Sequence, residues 1–329
     1  MHPPDWWQDR YVSRRRRPTS ALPQRAGVDA VRVLLPDTTE SVAAHLLARF
    51  PRSAQDLARL FATNAMVDDS GVPVRAADPC AGRAVWYHRP ALPEPGVPRE
   101  LPVIFEDAHL LVVDKPHGLP TTPRGSYVRN TALSLLRHIR QEPDLAPAHR
   151  LDRLTAGVLL FTRDPAIRGR MQRQFQDRHT RKSYEAVVHL PPGRGLAGLP
   201  AIRESRIEKP AGSLQAIEVD GPANAVTRMQ PLLPQPWTDH DGAWAALSLH
   251  PTTGQTHQLR VHLNAAGTPI RWDPLYPEII APEGQDTSQP LQLLARSLSI
   301  RHPVSGDEMT FVSNRTLATL DPHPLPSNA

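Results

Sequence analysis

Nine residues, His149-Arg150-Leu151-Asp152-Arg153-Leu154-Thr155-Ala156-Gly157, hold the combination in this chain with the clearest chemical potential. One carboxylate stands between two arginines, just before the apolar run Val158-Leu159-Leu160-Phe161. Guanidinium groups on either side favour the charged form of an acid, so Asp152 is expected to stay ionised at the lip of a strand. An ionised, positioned Asp can serve as a nucleophile or as a base, which makes it a candidate reaction centre. Taken alone, an Arg-x-Asp-Arg is better explained as a surface ion pair of small energetic weight.

Other segments give that carboxylate company. Asp114-Lys115-Pro116-His117-Gly118-Leu119 precedes it, and Lys182-Ser183-Tyr184-Glu185-Ala186-Val187-Val188 follows. Then come Thr253-Gly254-Gln255-Thr256-His257-Gln258-Leu259-Arg260-Val261-His262-Leu263 and Gly267-Thr268-Pro269-Ile270-Arg271-Trp272-Asp273-Pro274-Leu275-Tyr276, with His302-Pro303-Val304-Ser305-Gly306 last. Six blocks in this order resemble the RluA-type RNA pseudouridine synthases, over roughly residues 100–315, about two-thirds of the chain. Each block alone is a weak signal; their order is what carries the resemblance.

The reaction implied breaks the C1′–N1 bond of a uridine, turns the freed uracil, and rejoins it through C5. It needs a nucleophile or base at the sugar, a flat wall for the loose base, and a charge partner for the carboxylate. The resemblance puts Asp152 at the family's catalytic Asp, acting at C1′ or as the base that removes the 2′ proton. It puts Tyr184 at the tyrosine that stacks on uracil, a contact worth about 1–3 kcal/mol. Arg260 falls on the basic residue that pairs with the catalytic Asp. Arg150 falls on the arginine that enters the RNA helix as the target base flips out, and a planar cation suits that vacancy. Arg153 and Lys182 join Arg150 as RNA-binding candidates.

Three positions depart from the family pattern. Ala156 stands in place of the usual serine, Gln255 of an arginine, and Trp272 of the glycine before Asp273. These bear on substrate specificity, because Arg150, Asp152, Tyr184 and Arg260 are all present.

Composition bounds the rest. The chain has 329 residues, 40% of them hydrophobic, with a formal net charge of +5, enough for one large core and a smaller module beside it. A single cysteine, Cys80, excludes a disulfide framework and argues against a structural zinc site. His257 and His262 are five apart and read as structural rather than metal-binding. No cofactor and no metal are expected. No apolar run is as long as a membrane span, and the expectation is a cytoplasmic monomer whose partner is ribosomal or transfer RNA. Charge is local: residues 149–182 carry nine Lys or Arg against three Asp, which suits a polyanionic substrate.

The elements that must position these side chains follow from patterning. Residues 1–34 read as a disordered basic tail containing Arg14-Arg15-Arg16-Arg17, and residues 316–329 as a C-terminal tail. Residues 35–92 read as a small S4-like module. It has helices at Ser41 to Phe50 and Ala54 to Phe61, then a strand, turn and strand over Met66 to Val74. Residues 93–102 form a Pro-rich linker, and residues 103–315 the catalytic domain. Within it, Val103 to Phe105, Leu110 to Val113, Ser183 to Leu190 and Trp244 to Leu249 read as strands. Thr131 to Arg140 reads as a helix capped by Asn130, with Leu135, Leu136 and Ile139 inward. Asp164-Pro165 opens another, with Ile167, Met171 and Phe175 inward. Residues 191–240 and 276–290 read as loop-rich. The fold implied by the resemblance is α+β: a mixed, largely antiparallel central sheet flanked by helices and loops.

Two other functions fit parts of the pattern. A non-catalytic RNA-binding relative would not need Asp152, Tyr184 and Arg260 together. A glycosidase-like hydrolase also works at an anomeric carbon but wants a second carboxylate, and Asp114 and Asp273 are the only nearby candidates.

Overall fold

A computed structural model of the chain describes residues 20–89, 94–125, 127–281, 286 and 288–320. The four-arginine run and the last nine residues lie outside the described residues. The chain divides into two units, residues 1–92 and 93–329.

In the first unit a three-stranded antiparallel sheet is built from β1 (Val31–Leu34), β2 (Val67–Asp68) and β3 (Ala84–Tyr87), in the order β1-β3-β2. Two helices, α1 (Val42–Arg49) and α2 (Ala54–Ala62), supply Val42, Leu46, Leu57 and Leu60 to its core, alongside Met66, Val74 and Cys80. Ser41 caps α1 by accepting from the Ala44 N–H at 3.2 Å. The sequence placed Val31 to Leu34 in the tail. Instead the segment pairs with β3, and Val33 is 5% exposed. A four-residue strand, Val-Arg-Val-Leu, with only Val33 buried is too short a pattern to register as periodic.

The second unit is organised around a single 12-stranded sheet. Its strands are β4 (Val103–Glu106), β5 (Leu110–Lys115), β6 (Ala146–Pro147), β7 (Ala156–Thr162), β8 (Arg181–His189), β9 (Ile202–Glu208), β10 (Ile217–Val219), β11 (Ala225–Pro231), β12 (Trp237–Asp239), β13 (Gly242–Pro251), β14 (Leu293–Arg301) and β15 (Glu308–Val312). The main path runs β10-β9-β11-β13-β8-β14-β7-β5-β4, with β12 on β13, β15 on β14 and β6 on β7. Every pairing is antiparallel except β14 with β7. Three helices accompany the sheet: α3 (Ala132–Arg140), α4 (Arg168–Gln176) and α5 (Gln258–Ala265). The fold is therefore the mixed, largely antiparallel α+β architecture expected. No helix among the described residues is long and apolar enough to cross a membrane.

Strands β5 and β7 are buried along their whole length, which is why Leu110 to Val113 and Val158 to Phe161 are continuous apolar runs rather than alternations. Gly157 makes the parallel junction possible. Its φ is +111°, and a Cβ there would lie 2.2 Å from the Ala295 carbonyl oxygen on β14. Only a residue without a side chain lets the two backbones approach this closely.

Several expectations change. Thr131, not Asn130, caps α3, accepting from the Ser134 N–H at 3.2 Å, because the Asn130 amide donates to the Pro95 carbonyl instead. The inward face of α3 is Ala132, Leu133 and Leu136, while Ile139 is 68% exposed. Asp164 does cap a turn, a 3₁₀ segment Pro165–Ile167 that runs into α4. Residues 191–240, expected to be loops, carry β9, β10, β11 and β12. These strands sit towards one edge of the sheet, and Arg203 on β9 binds Glu218 on β10 through two hydrogen bonds. Polar cross-strand pairs of this kind hide the apolar alternation by which strands are recognised in a sequence.

Candidate active site

Asp152 lies on the loop between β6 and β7, and that loop is fixed from both sides. The preceding His149 is half-buried, stacks on Phe175 at 5.2 Å between centroids, and accepts the Leu160 N–H at Nε2. Burial holds its imidazole down to about 3, so it is neutral and able to accept. Leu151 sinks into the core, and its N–H and carbonyl both bond to the Thr121 hydroxyl. The loop closes on itself where the Thr155 N–H donates to the Asp152 carbonyl at 3.1 Å.

Lys115, quoted in the sequence but given no role there, is the main clamp. Its side chain is fully buried at the end of β5. Its ammonium donates to the carbonyls of Pro116, Leu119 and Arg153, the last at 3.2 Å and one residue beyond Asp152. Burial pulls its pKa down to about 7, against the opposing pull of the Asp152 charge. The available signal was a charged pair, Asp114-Lys115, ending a run that is otherwise apolar. His117 completes the clamp, its Nδ1 at 2.7 Å from the Leu154 carbonyl.

The carboxylate itself is one-third exposed. Arg260 on α5 brings Nη1 to 3.7 Å from Asp152 Oδ2. The guanidinium also has a second and closer partner. Its Nε and Nη2 form a two-point contact with the Asp273 carboxylate at 2.8 and 2.6 Å. The Asp273 side chain is 0% exposed and also accepts the N–H groups of Leu275 and Tyr276. The Tyr276 ring lies 5.2 Å from the guanidinium carbon. Burial opposes the Arg260 charge, but the Asp273 hydrogen bonds outweigh it and hold the guanidinium above its ordinary value. Asp273 thus fixes the fork, leaving one edge of Arg260 for Asp152.

Tyr184 on β8 packs between the core beneath α5 and the core beneath α3. Its hydroxyl is driven upward by burial and then by the nearby Asp152 charge, so it stays neutral. The sheet pairs it with Leu249 on β13.

The RNA-contact candidates separate. Arg150 is exposed. Arg153 lies with its guanidinium carbon 5.8 Å from the Tyr127 ring. Lys182, by contrast, donates to the Thr253 carbonyl at 2.9 Å, drawn back onto the loop that leads into α5. Lys209, which the sequence did not single out, feels the charges of Arg124, Asp152 and Arg260. No spacing rule could have found it, because it sits between two strands that were themselves unrecognised.

His257 and His262 both have protein partners. His262 contacts Thr227 at Nδ1 and Ser205 at Nε2, while His257 contacts Tyr276 at Nδ1 and faces Asp152 at 3.9 Å through Nε2. Two groups of potential metal ligands occur among the described residues, Glu40–His45–Cys80 and Asp239–His240–Asp241, and neither contains these histidines. Trp272 has φ +57°, which explains a glycine at this point of the family pattern. Here the indole is held against the Arg271 guanidinium, which also lies over Trp244.

The candidate second carboxylates for a hydrolase are both committed. Asp114 is 2% exposed and accepts from Ser313 and Asn314, and Asp273 is held by Arg260. What remains is one accessible carboxylate, a buried cation beside it, and a neutral aromatic close by.

Comparison with known proteins gives the family and the fold. The RNA pseudouridylate synthase family profile matches residues 109–265, a span that contains Lys115, Asp152, Tyr184 and Arg260. The dual-specificity RNA pseudouridine synthase RluA of Haemophilus influenzae is 35% identical over 213 residues, 64% of this chain and 91% of the relative. Its namesake from Yersinia pestis is 35% identical over 211 residues, 64% of this chain and 96% of the relative. A solved structure, human RNA pseudouridylate synthase domain containing 1, has the same fold, with a TM-score of 0.54 at 24% identity. It covers 71% of this chain and 94% of its own.

Proposed function

This chain belongs to the RluA-type RNA pseudouridine synthases, and we propose on that premise that Asp152 is the group that acts at the sugar of the target uridine. The observation that carries the proposal is the placement of Arg260 Nη1 at 3.7 Å from the accessible Asp152 carboxylate. That cation is buried and anchored elsewhere, so it can hold a negative charge without leaving water to do so. Tyr184 is the flat wall for the loose uracil, its hydroxyl kept neutral by burial and by Asp152. Arg150 fills the gap left by the flipped nucleotide, and Arg153 and Lys209 meet the flanking phosphates; Lys182 positions the loop before α5.

The substrate in this reading is structured ribosomal or transfer RNA, handled by a cytoplasmic monomer without cofactor or metal, since isomerisation transfers no net electrons. The small N-terminal unit is read as an S4-like module. Two measurements test the proposal. Tritium release from ribosomal and transfer RNA transcripts carrying 5-tritiated uridine should be abolished by Asp152→Asn, with RNA affinity unchanged within a few-fold, because phosphate contacts dominate binding. Near-native release by the Asn variant would overturn the assignment. Mapping pseudouridines in cells with and without the gene identifies the RNA, and loss of no site in either class would refute the substrate reading.

A further inference from the structure

The isomerisation has a proton to dispose of that Asp152, Tyr184 and Arg260 do not obviously take. When uracil C5 bonds to C1′, C5 becomes tetrahedral and still carries its original hydrogen. Completion requires that hydrogen to leave as a proton. The C5–H electron pair becomes the C5=C6 bond, the C6=N1 π pair moves onto N1, and N1 takes a proton from water. Atoms and electrons balance, provided a base stands where C5 ends up, beside the carbon that Asp152 serves.

We infer that His257 Nε2 is this base, building on the proposed role of Asp152. The hydrogen-bond network fixes which ring nitrogen carries the proton. The Tyr276 hydroxyl has one hydrogen, and it goes to the Ala216 carbonyl at 2.9 Å, while the same oxygen accepts the Ala216 N–H at 2.8 Å. Ala216 is 1% exposed, and its carbonyl would be left unsatisfied in the core if that hydrogen pointed elsewhere. His257 Nδ1, 3.0 Å from the same oxygen, must then donate to it. This leaves Nε2 with a free lone pair, and Nε2 is the atom that faces Asp152 Oδ2 at 3.9 Å. Two acceptors face each other at a separation that lets a proton-bearing group of the substrate, seated beside the pair, come within hydrogen-bond reach of both.

Two further observations agree. His257 has φ +56°, a conformation that costs energy for a side chain of this kind and recurs where geometry matters to chemistry. Its imidazole is held below the ordinary value, chiefly by burial; Arg260 and Lys209 push the same way, and Asp152 and Asp273 oppose them. The ring is therefore an empty proton acceptor at neutral pH.

The test uses the full protein with ribosomal and transfer RNA transcripts made from ordinary or 5-deuterated uridine triphosphate. His257→Asn keeps a residue that tolerates left-handed backbone but removes the base. Its single-turnover rate should fall by about 10²- to 10⁴-fold, the usual contribution of a positioned base. The residual rate should become slower with deuterium at C5, and added imidazole should restore part of it. A near-native rate, which would leave Asp152 or water as the acceptor, overturns the inference. A slow variant with no sensitivity to deuterium overturns it too, since that is the mark of a structural role. The Asp152 reading fails separately, by activity of Asp152→Asn with His257 intact.

Discussion

Replacing Arg260 by Met should separate two jobs that one guanidinium performs. The Asp273 side chain is 0% exposed and receives two hydrogen bonds from Arg260, at 2.8 and 2.6 Å. Methionine fills a similar volume but leaves that carboxylate buried with only the Leu275 and Tyr276 N–H groups. Breaking a buried pair from one side costs about 3–5 kcal/mol. For a domain of this size each kcal/mol lowers Tm by about 2–4 °C, so the Met variant should melt roughly 6–20 °C lower. Adding Asp273→Asn removes the uncompensated charge while keeping an oxygen for the two N–H groups, and should recover a large part of the lost stability. It should not recover catalysis, because Asp152 still lacks its cation. Arg260→Lys should recover only part of both, since an ammonium restores charge but not a fork that spans Asp273 and Asp152 together. Thermal denaturation and single-turnover tritium release on the same preparations give both readouts, with RNA affinity and its salt dependence expected to stay near native. A Met variant melting within about 2 °C of native would refute the buried-pair reasoning. Recovery of the rate in the double variant would refute the service of Arg260 to Asp152.

The remaining expectations follow from single features. Burial holds His117 and His262 at about 4 and His149 at about 3, below the ordinary value of about 6.5 that they regain on unfolding. The unfolded chain therefore binds more protons below pH about 6.5, so stability is full above that pH and falls as pH drops toward about 4. The urea midpoint should already decline between pH of about 6.5 and 5, above the range where ordinary carboxylates protonate, and a flat midpoint there would contradict the buried neutral histidines. Gly157→Ala would force a Cβ to 2.2 Å from the Ala295 carbonyl oxygen. It should therefore yield little folded protein by circular dichroism and gel filtration, and a native-like melt would show that β7 and β14 can separate at no cost.

The blocks around Asp152, Tyr184 and Arg260 named side chains separated by more than a hundred positions, and in the folded chain Asp152 lies beside Arg260 and within electrostatic reach of Tyr184. They were legible because residue type and order are local properties of the chain. The continuous apolar runs of β5 and β7 were legible for the same reason, as strands buried on both faces. What the sequence left undecided were choices between equivalent neighbours. Asn130 and Thr131 are both good caps, and the cap passed to Thr131 because the Pro95 carbonyl took the Asn130 amide. Asp152 and Asp273 both suit an arginine partner, and the fully buried one took the two-point contact because it has no water to fall back on. Lys115, His149 and His257 stand in the quoted blocks but were assigned no chemical role there; their roles come from burial and from which carbonyl, N–H or hydroxyl the fold brings within hydrogen-bond reach. Identity and order of the reacting groups are written in the chain, whereas their charge states, tautomers and partners depend on desolvation, which exists only once distant segments have packed together.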